Sequence, residues 1–107
     1  MTAIDVLIRA RAKIASEFNW TQGSQARDKN DRPCEPTSII AKRWSIDGAI
    51  VAVADHDVCL ICEAKVMLAA HFRGILIFFN DSKSHGQVID LIDRCLMAQK
   101  GLADEQR

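Results

Sequence analysis

The sequence has no net charge, no long apolar run and no internal repeat, and each absence removes a class of function. Its 107 residues carry 14 basic and 14 acidic side chains, whereas a dedicated nucleic-acid binder is usually strongly basic overall. No stretch approaches the roughly 18 consecutive apolar residues of a spanning helix. The opening residues MTAIDVLIRARAK interrupt their apolar positions with Asp5, Arg9 and Arg11, a pattern unlike a secretory leader. The reading is a cytoplasmic chain with neither a membrane nor a nucleic acid as partner. There is no low-complexity tract, no glycine-rich phosphate loop and no strand-borne nucleotide motif. What remains is an ordinary globular composition, 49% hydrophobic and 26% charged. Its length fits one domain, expected over residues 1–101 with a frayed polar tail at 102–107.

The helical signals are local and specific. Thr2 and Asp5 form a carboxylate variant of the capping box, and Ile4, Leu7, Ile8, Ile14, Ala15 and Phe18 recur at helical spacing, predicting a helix over 2–18. Arg11 interrupts that seam; its methylenes are expected to cover the core edge while the guanidinium reaches water. Pro36 with Thr37 or Ser38 offers a second start, and Ile40, Trp44, Gly48 and Val51 share a face of a helix predicted over 37–54. Gly48 there reads as a point of close approach by another helix. The stretch 49–53 also fits a short strand. Asp57 can cap a third helix that buries Val58, Ile61, Cys62, Leu68, Ala69 and Phe72, with His71 and Arg73 in its last turn and Gly74 as its stop. The apolar run 75–79 is strand or helix by periodicity, and Asn80 to Lys83 reads as a turn. Ser84 and Gln87 make a second capping box for a last helix with Val88, Leu91, Ile92, Cys95 and Leu96 inside, ending at Gly101.

Residues 19–36, NWTQGSQARDKNDRPCEP, show no apolar periodicity and hold one glycine and both prolines. A loop that long is unusual in a compact domain and is often functional. Trp20, Arg27, Asp28 and Arg32 are expected to keep it ordered, with Arg27 or Asp28 substantially buried. The pattern Trp20-x-x-Gly23-x-x-Ala26-Arg27-Asp28-x-x-x-Arg32-Pro33 resembles the signature of a small bacterial and phage family classed as a domain of unknown function. The likeness continues through Trp44 and Gly48-Ala49 to Phe79-Asn80-Asp81, where the family has Trp-Asn-Asp before a final helix, and so spans roughly 3–98. The sequence departs from it at Asn30 or Asp31, often glycine in the family, and at Ser45, often cysteine. The resemblance implies a helical centre and supplies no activity.

Several constellations carry chemistry. Arginine presents a forked donor to carboxylates and phosphates, so Arg27 and Arg32, with Asp28, with Trp20 as a stacking wall and with Asn80 and Asp81 across the fold, form a candidate site for a small anionic ligand or acidic peptide. The competing account is that the same polar groups lock their own loops. His56-x-x-Cys59-x-x-Cys62 has metal-type residues, but a helix rotates the third position away from the first, and no second ligand pair completes a tetrahedral set. A thiol-redox use of Cys59 and Cys62 needs a strand at 49–53 leading into the helix. Buried structural thiols are the expectation for both, and for Cys95. Ser82, Ser84, His85 and Asp81 lie too close in sequence to read as a catalytic triad, and His71 has no nucleophile beside it. Residues 1–45 hold eight basic and five acidic groups against six and nine in 46–107, a polarity compatible with self-association.

The expected architecture is a compact all-α bundle of about four helices, one long ordered loop at 19–36 and a short apolar segment at 75–79. The expected role is a small intracellular binding or protein-interaction module, regulatory or phage-linked, whose partner is another protein or a second copy. No metal and no cofactor are expected. An enzyme or small-ligand protein using the loop's Arg and Asp groups is one alternative, and a thiol or metal protein centred on Cys59 and Cys62 is another.

Overall fold

Thr2 closes the first helix as its sequence predicts. In the computed structural model, which describes the backbone of residues 1–105 and side chains through Gly101, the Thr2 hydroxyl accepts from the Asp5 N–H at 3.2 Å. The Asp5 carboxylate accepts from the Thr2 N–H at 2.9 Å. Helix α1 spans Ala3–Lys13, and its buried face is Ala3, Val6, Leu7 and Ala10, followed by Ile14. The face is therefore rotated from the expected one. Ile4 and Ile8 lie outside, and Phe18 is 85% exposed. The alanines give α1 a flat side on which other helices pack closely. Past Ile14 the Ser16 hydroxyl accepts from the Phe18 N–H and starts a separate 3-10 turn, Glu17–Asn19, so the helix does not reach 18. Arg11 forms a two-pronged pair with Asp93, one arm at 3.1 Å, at a site where its side chain remains partly open to water.

The predicted helix over 37–54 is half right. Residues 36–40 form turns, and Ile39 and Ile40 are 94% and 52% exposed. Strand β1 (Ala26–Arg27) pairs antiparallel with β2 (Arg43–Trp44), Ala26 opposite Trp44. This non-local pairing extends the backbone where sequence spacing favours a helix. Helix α2 begins only at Ile46 and runs to Ala54; its cap is Ser45, whose hydroxyl accepts from the Gly48 N–H at 3.0 Å. Residues 46–50 are all buried, and stretch 49–53 is helix rather than strand. Gly48 admits the loop, not another helix: a Cβ there would lie 1.8 Å from the Gln25 carbonyl oxygen. Asp55 and His56 adopt left-handed φ values of 50° and 63°, turning the chain into helix α3 (Val58–Ala69), whose cap is the expected Asp57.

Helix α3 inverts part of its predicted face. Ala64 and Leu68 are buried, with Ile61 and Phe72 partly so, while Val58, Cys62 and Ala69 point outward. Helix α4 (Leu76–Ser82) resolves the apolar run as helix and takes in Asn80 and Asp81, which the sequence places in a turn. This fourth helix is short because the chain must turn at Lys83 to begin α5 (His85–Glu105). The Ser84–Gln87 capping box forms, with the Gln87 side-chain oxygen 3.0 Å from the Ser84 N–H. Val88, Leu91, Ile92 and Cys95 are fully buried, and each large apolar side chain taken from water stabilises by roughly 1.5–3 kcal/mol. The helix continues through Gly101 to Glu105. A glycine lowers helix propensity by only about 1 kcal/mol, too little to stop a helix already anchored by these four buried side chains. Of the expected tail at 102–107, part is thus helical backbone and residues 106–107 lie outside the described residues. The architecture is all-α, with α2 at the centre, touching α1, α3 and α4. No helix among the described residues is long and apolar enough to cross a membrane.

Candidate functional site

The long loop is held by side chains that sit far away in sequence. Asn80 is fully buried on α4. Its Oδ1 accepts from the Trp20 indole N–H at 2.8 Å and from the Ile46 backbone N–H at 3.0 Å, and its Nδ2 donates to the Thr21 carbonyl at 3.0 Å. The Ile46 N–H is one of the donors that the start of a helix leaves without a partner, so one amide anchors the loop, caps α2 and belongs to α4. Asp81 extends the grip, accepting from the Gly23 N–H at 2.8 Å. The Gln22 side chain donates to the carbonyls of Asn80, Asp81 and Lys83 within 3.1 Å, covering the end of α4. Trp20 is half-buried, with its ring tilted against His85 at 5.6 Å. His85 in turn contacts the Ile14 carbonyl through Nε2 at 2.7 Å.

Arg27 and Asp28 are half-buried and engaged within the loop itself. The Arg27 guanidinium donates to the Thr21 hydroxyl at 3.1 Å and to the carbonyls of Asp31 and Gln22 at 3.0 and 3.2 Å. Its fork is thus closed around backbone oxygens. Asp28 Oδ1 accepts from the N–H groups of Asn30 and Arg32 at 2.8 and 3.0 Å, an Asx-type turn. The Arg32 side chain is exposed. Of the six predicted residues, Trp20, Asn80 and Asp81 meet directly, and Arg27 joins them through Thr21 and Gln22. Asp28 and Arg32 form a separate turn. A cavity of about 190 Å³ lies beside the junction, lined by Gly23, Gln25, Ser45, Ile77, Asn80 and Asp81.

Sequence reasoning overlooked Asp47. It is 2% exposed, accepts from the Gln25 side chain at 2.5 Å and pairs with Lys65 of α3. Its only sequence signal, an acid in the first turn of α2, reads as a response to the helix dipole. This pair forms the polar wall of a groove of about 330 Å³ between α3 and α4, otherwise lined by Val66, Ala69, Phe72, Ile75, Leu76 and Ile77. A second recess of about 420 Å³ lies by Lys29, Ile39, Ile40 and Lys42.

The thiols are distributed differently from expectation. Cys59 and Cys62 are both exposed, so they are not core residues. The strand that a redox arrangement requires before Cys59 is helix α2. Cys95 is buried, and burial pushes its thiol above the ordinary range. Desolvation, with Asp28 and Glu35 nearby, does the same to Cys34. Among the described residues no three His, Cys, Asp or Glu side chains gather as metal ligands would. His56 Nε2 lies 3.0 Å from the Thr37 hydroxyl, and the Ser82 hydroxyl donates to the Phe79 carbonyl.

The chain belongs to a family of unknown function (DUF6197), whose model matches residues 1–96. Neither a curated protein nor a solved structure matches it.

Proposed function

We propose that this family member is a small cytoplasmic binding module, regulatory rather than catalytic, of a bacterial or phage protein set. Its docking surface is the outer face of α3 and α4. One observation carries the reading: α3 is apolar on both sides. Its inner side packs through Ala64 and Leu68, yet Val58 and Val66 on the outer side are 69% and 70% exposed. On adjoining α4 and its cap, Ile75, Ile77 and Phe78 are 59%, 48% and 67% exposed. With Glu63 and Lys65 as the charged residues among its 12, α3 has little polar face to give to water, and an exposed apolar patch beside a groove marks a place where another surface docks. Lys65, partly exposed at the groove wall and held by the buried Asp47, supplies the polar group that such a groove uses for orientation. An amphipathic helix, presenting anchors at three- and four-residue spacing, is the partner shape that fits.

The loop supports an anion-binding role less well. The Arg27 donors and the Asp28 carboxylate are engaged in ordering the loop, while Arg32, Lys29 and Lys42 form no ion pair among the described residues. Selection from a displayed library of amphipathic helical peptides tests the docking reading. Enriched peptides should lose binding by about tenfold or more on Ile77→Glu and keep it on Ile8→Glu, which alters an exposed isoleucine of α1. An absence of enriched peptides, or equal loss on both variants, would overturn the reading.

A further inference from the structure

We infer that α3 pairs antiparallel with α3 of a second copy of this chain. The inference rests on the docking reading above and names the occupant of that face. Val58, Cys62, Val66 and Ala69 follow one another at helical spacing and are all exposed, with Cys59 and Ala70 bordering the same line. Every member is small. Cysteine packs as a small hydrophobe, and a row of short side chains lets a second helix approach to about 8–10 Å between axes.

Charge then selects the direction. Asp55 stands just before α3 and Arg73 just after it, both exposed, and among the described residues neither forms an ion pair within its own chain. Antiparallel pairing about a two-fold axis near the middle of α3 brings Asp55 of each copy toward Arg73 of the other, twice over. It also sets Cys62 against Val66 and Val58 against Ala70. Parallel pairing would oppose Asp55 to Asp55 and Arg73 to Arg73, so like charges disfavour it. The contact is isologous, as a two-fold interface must be, and Ile75, Ile77 and Phe78 extend it on the α4 flank. A helix of 12 residues is only about 18 Å long. Such a pair covers less than the roughly 800 Å² per partner of a durable complex, so the dimer is a weak one, with a dissociation constant on the order of 100 µM.

Sedimentation equilibrium of the full chain, in reductant so that Cys59 and Cys62 stay unlinked, tests this over about 10 µM to 1 mM. The expected result is a reversible monomer–dimer equilibrium. Val66→Glu, which alters an outward side chain, should weaken it about tenfold or more, because a carboxylate would be buried against an apolar row, with an unchanged far-ultraviolet spectrum. Arg73→Glu should weaken it by placing like charges together, and adding Asp55→Asn to that variant should recover part of the loss. A monomer at every concentration, or a dimer indifferent to Val66→Glu, overturns the pairing. A dimer that Asp55→Asn fails to rescue overturns the antiparallel direction. A chain that stays monomeric yet takes helical peptides at this face refutes the self-pairing alone, whereas failure of both assays refutes the docking reading as well.

Discussion

Replacing Asn80 by alanine removes an amide that three segments share. The Ile46 N–H and the Thr21 carbonyl would be left in places where Ile46 is fully buried and Thr21 is 8% exposed. A buried polar group without its partner costs about 1–3 kcal/mol. The Trp20 indole N–H, at a half-buried site, loses a bond worth about 1 kcal/mol but can turn to water. Together these give a loss of about 3–7 kcal/mol, a large share of the roughly 5–15 kcal/mol that a small domain possesses. At about 4–8 °C per kcal/mol for a chain near this size, Tm should fall by at least about 12 °C. Urea titration followed by tryptophan fluorescence and far-ultraviolet circular dichroism measures the change, since Trp20 and Trp44 both flank the loop. A loss below about 1 kcal/mol would refute the claim that Asn80 holds the loop and caps α2.

Gly48→Ala should destabilise by about 1–3 kcal/mol despite alanine's higher helix propensity, because the added methyl collides with backbone at Gln25; an unchanged denaturant midpoint would refute this. Thiol labelling under native conditions should modify Cys59 and Cys62 quickly and Cys95 only after unfolding, and mass spectrometry of labelled peptides reads the order. Asp5 carries a depressed pKa because the Thr2 backbone N–H, then the Thr2 hydroxyl, bonds its carboxylate. Its contribution is complete above the ordinary carboxylate value of about 4 and disappears as pH falls through the lower folded value. Melts of Asp5→Asn should therefore show less loss between pH 5 and pH 2 than wild type, at a lower stability near neutrality; parallel curves would refute the assignment.

The features legible in sequence are those written within one helical turn. Thr2 with Asp5, Ser84 with Gln87, and Asp57 each announce a cap whose partner lies three residues on, and all three form. The stripe of α5 is equally plain because large aliphatic residues fill it. In α1 the inward positions include Ala3 and Ala10, chosen for closeness rather than bulk, so reading the larger Ile4 and Ile8 as core misplaces the face. The false helix over 37–45 has a different cause. Its residues carry helical spacing, but Ala26–Arg27 claims the backbone of Arg43–Trp44 from 16 and 18 residues away. At the candidate site, the family-like pattern brought Trp20 and Asn80-Asp81 into one list, and the fold joins them. The Asp47–Lys65 pair bridges two helices with no local signal. The thiols of α3 read as buried yet lie outward, because a helix with so few polar residues gives periodicity little polar side to read.

The Asn80 junction also sets an order in time. Its partners Ile46 and Trp20 lie 34 and 60 residues away along the chain, and closing such long loops costs entropy before any bond rewards it. The helices with local caps can form early, whereas residues 20–27 can settle only after α2 and α4 have met. In the reverse direction, withdrawal of α4 frees the loop and uncovers the start of α2 in a single event. These three segments therefore make one cooperative opening unit of the kind that native-state hydrogen exchange resolves. The amides of Thr21, Ile46 and their neighbours should exchange with one common free energy, although no two of the segments adjoin in the chain.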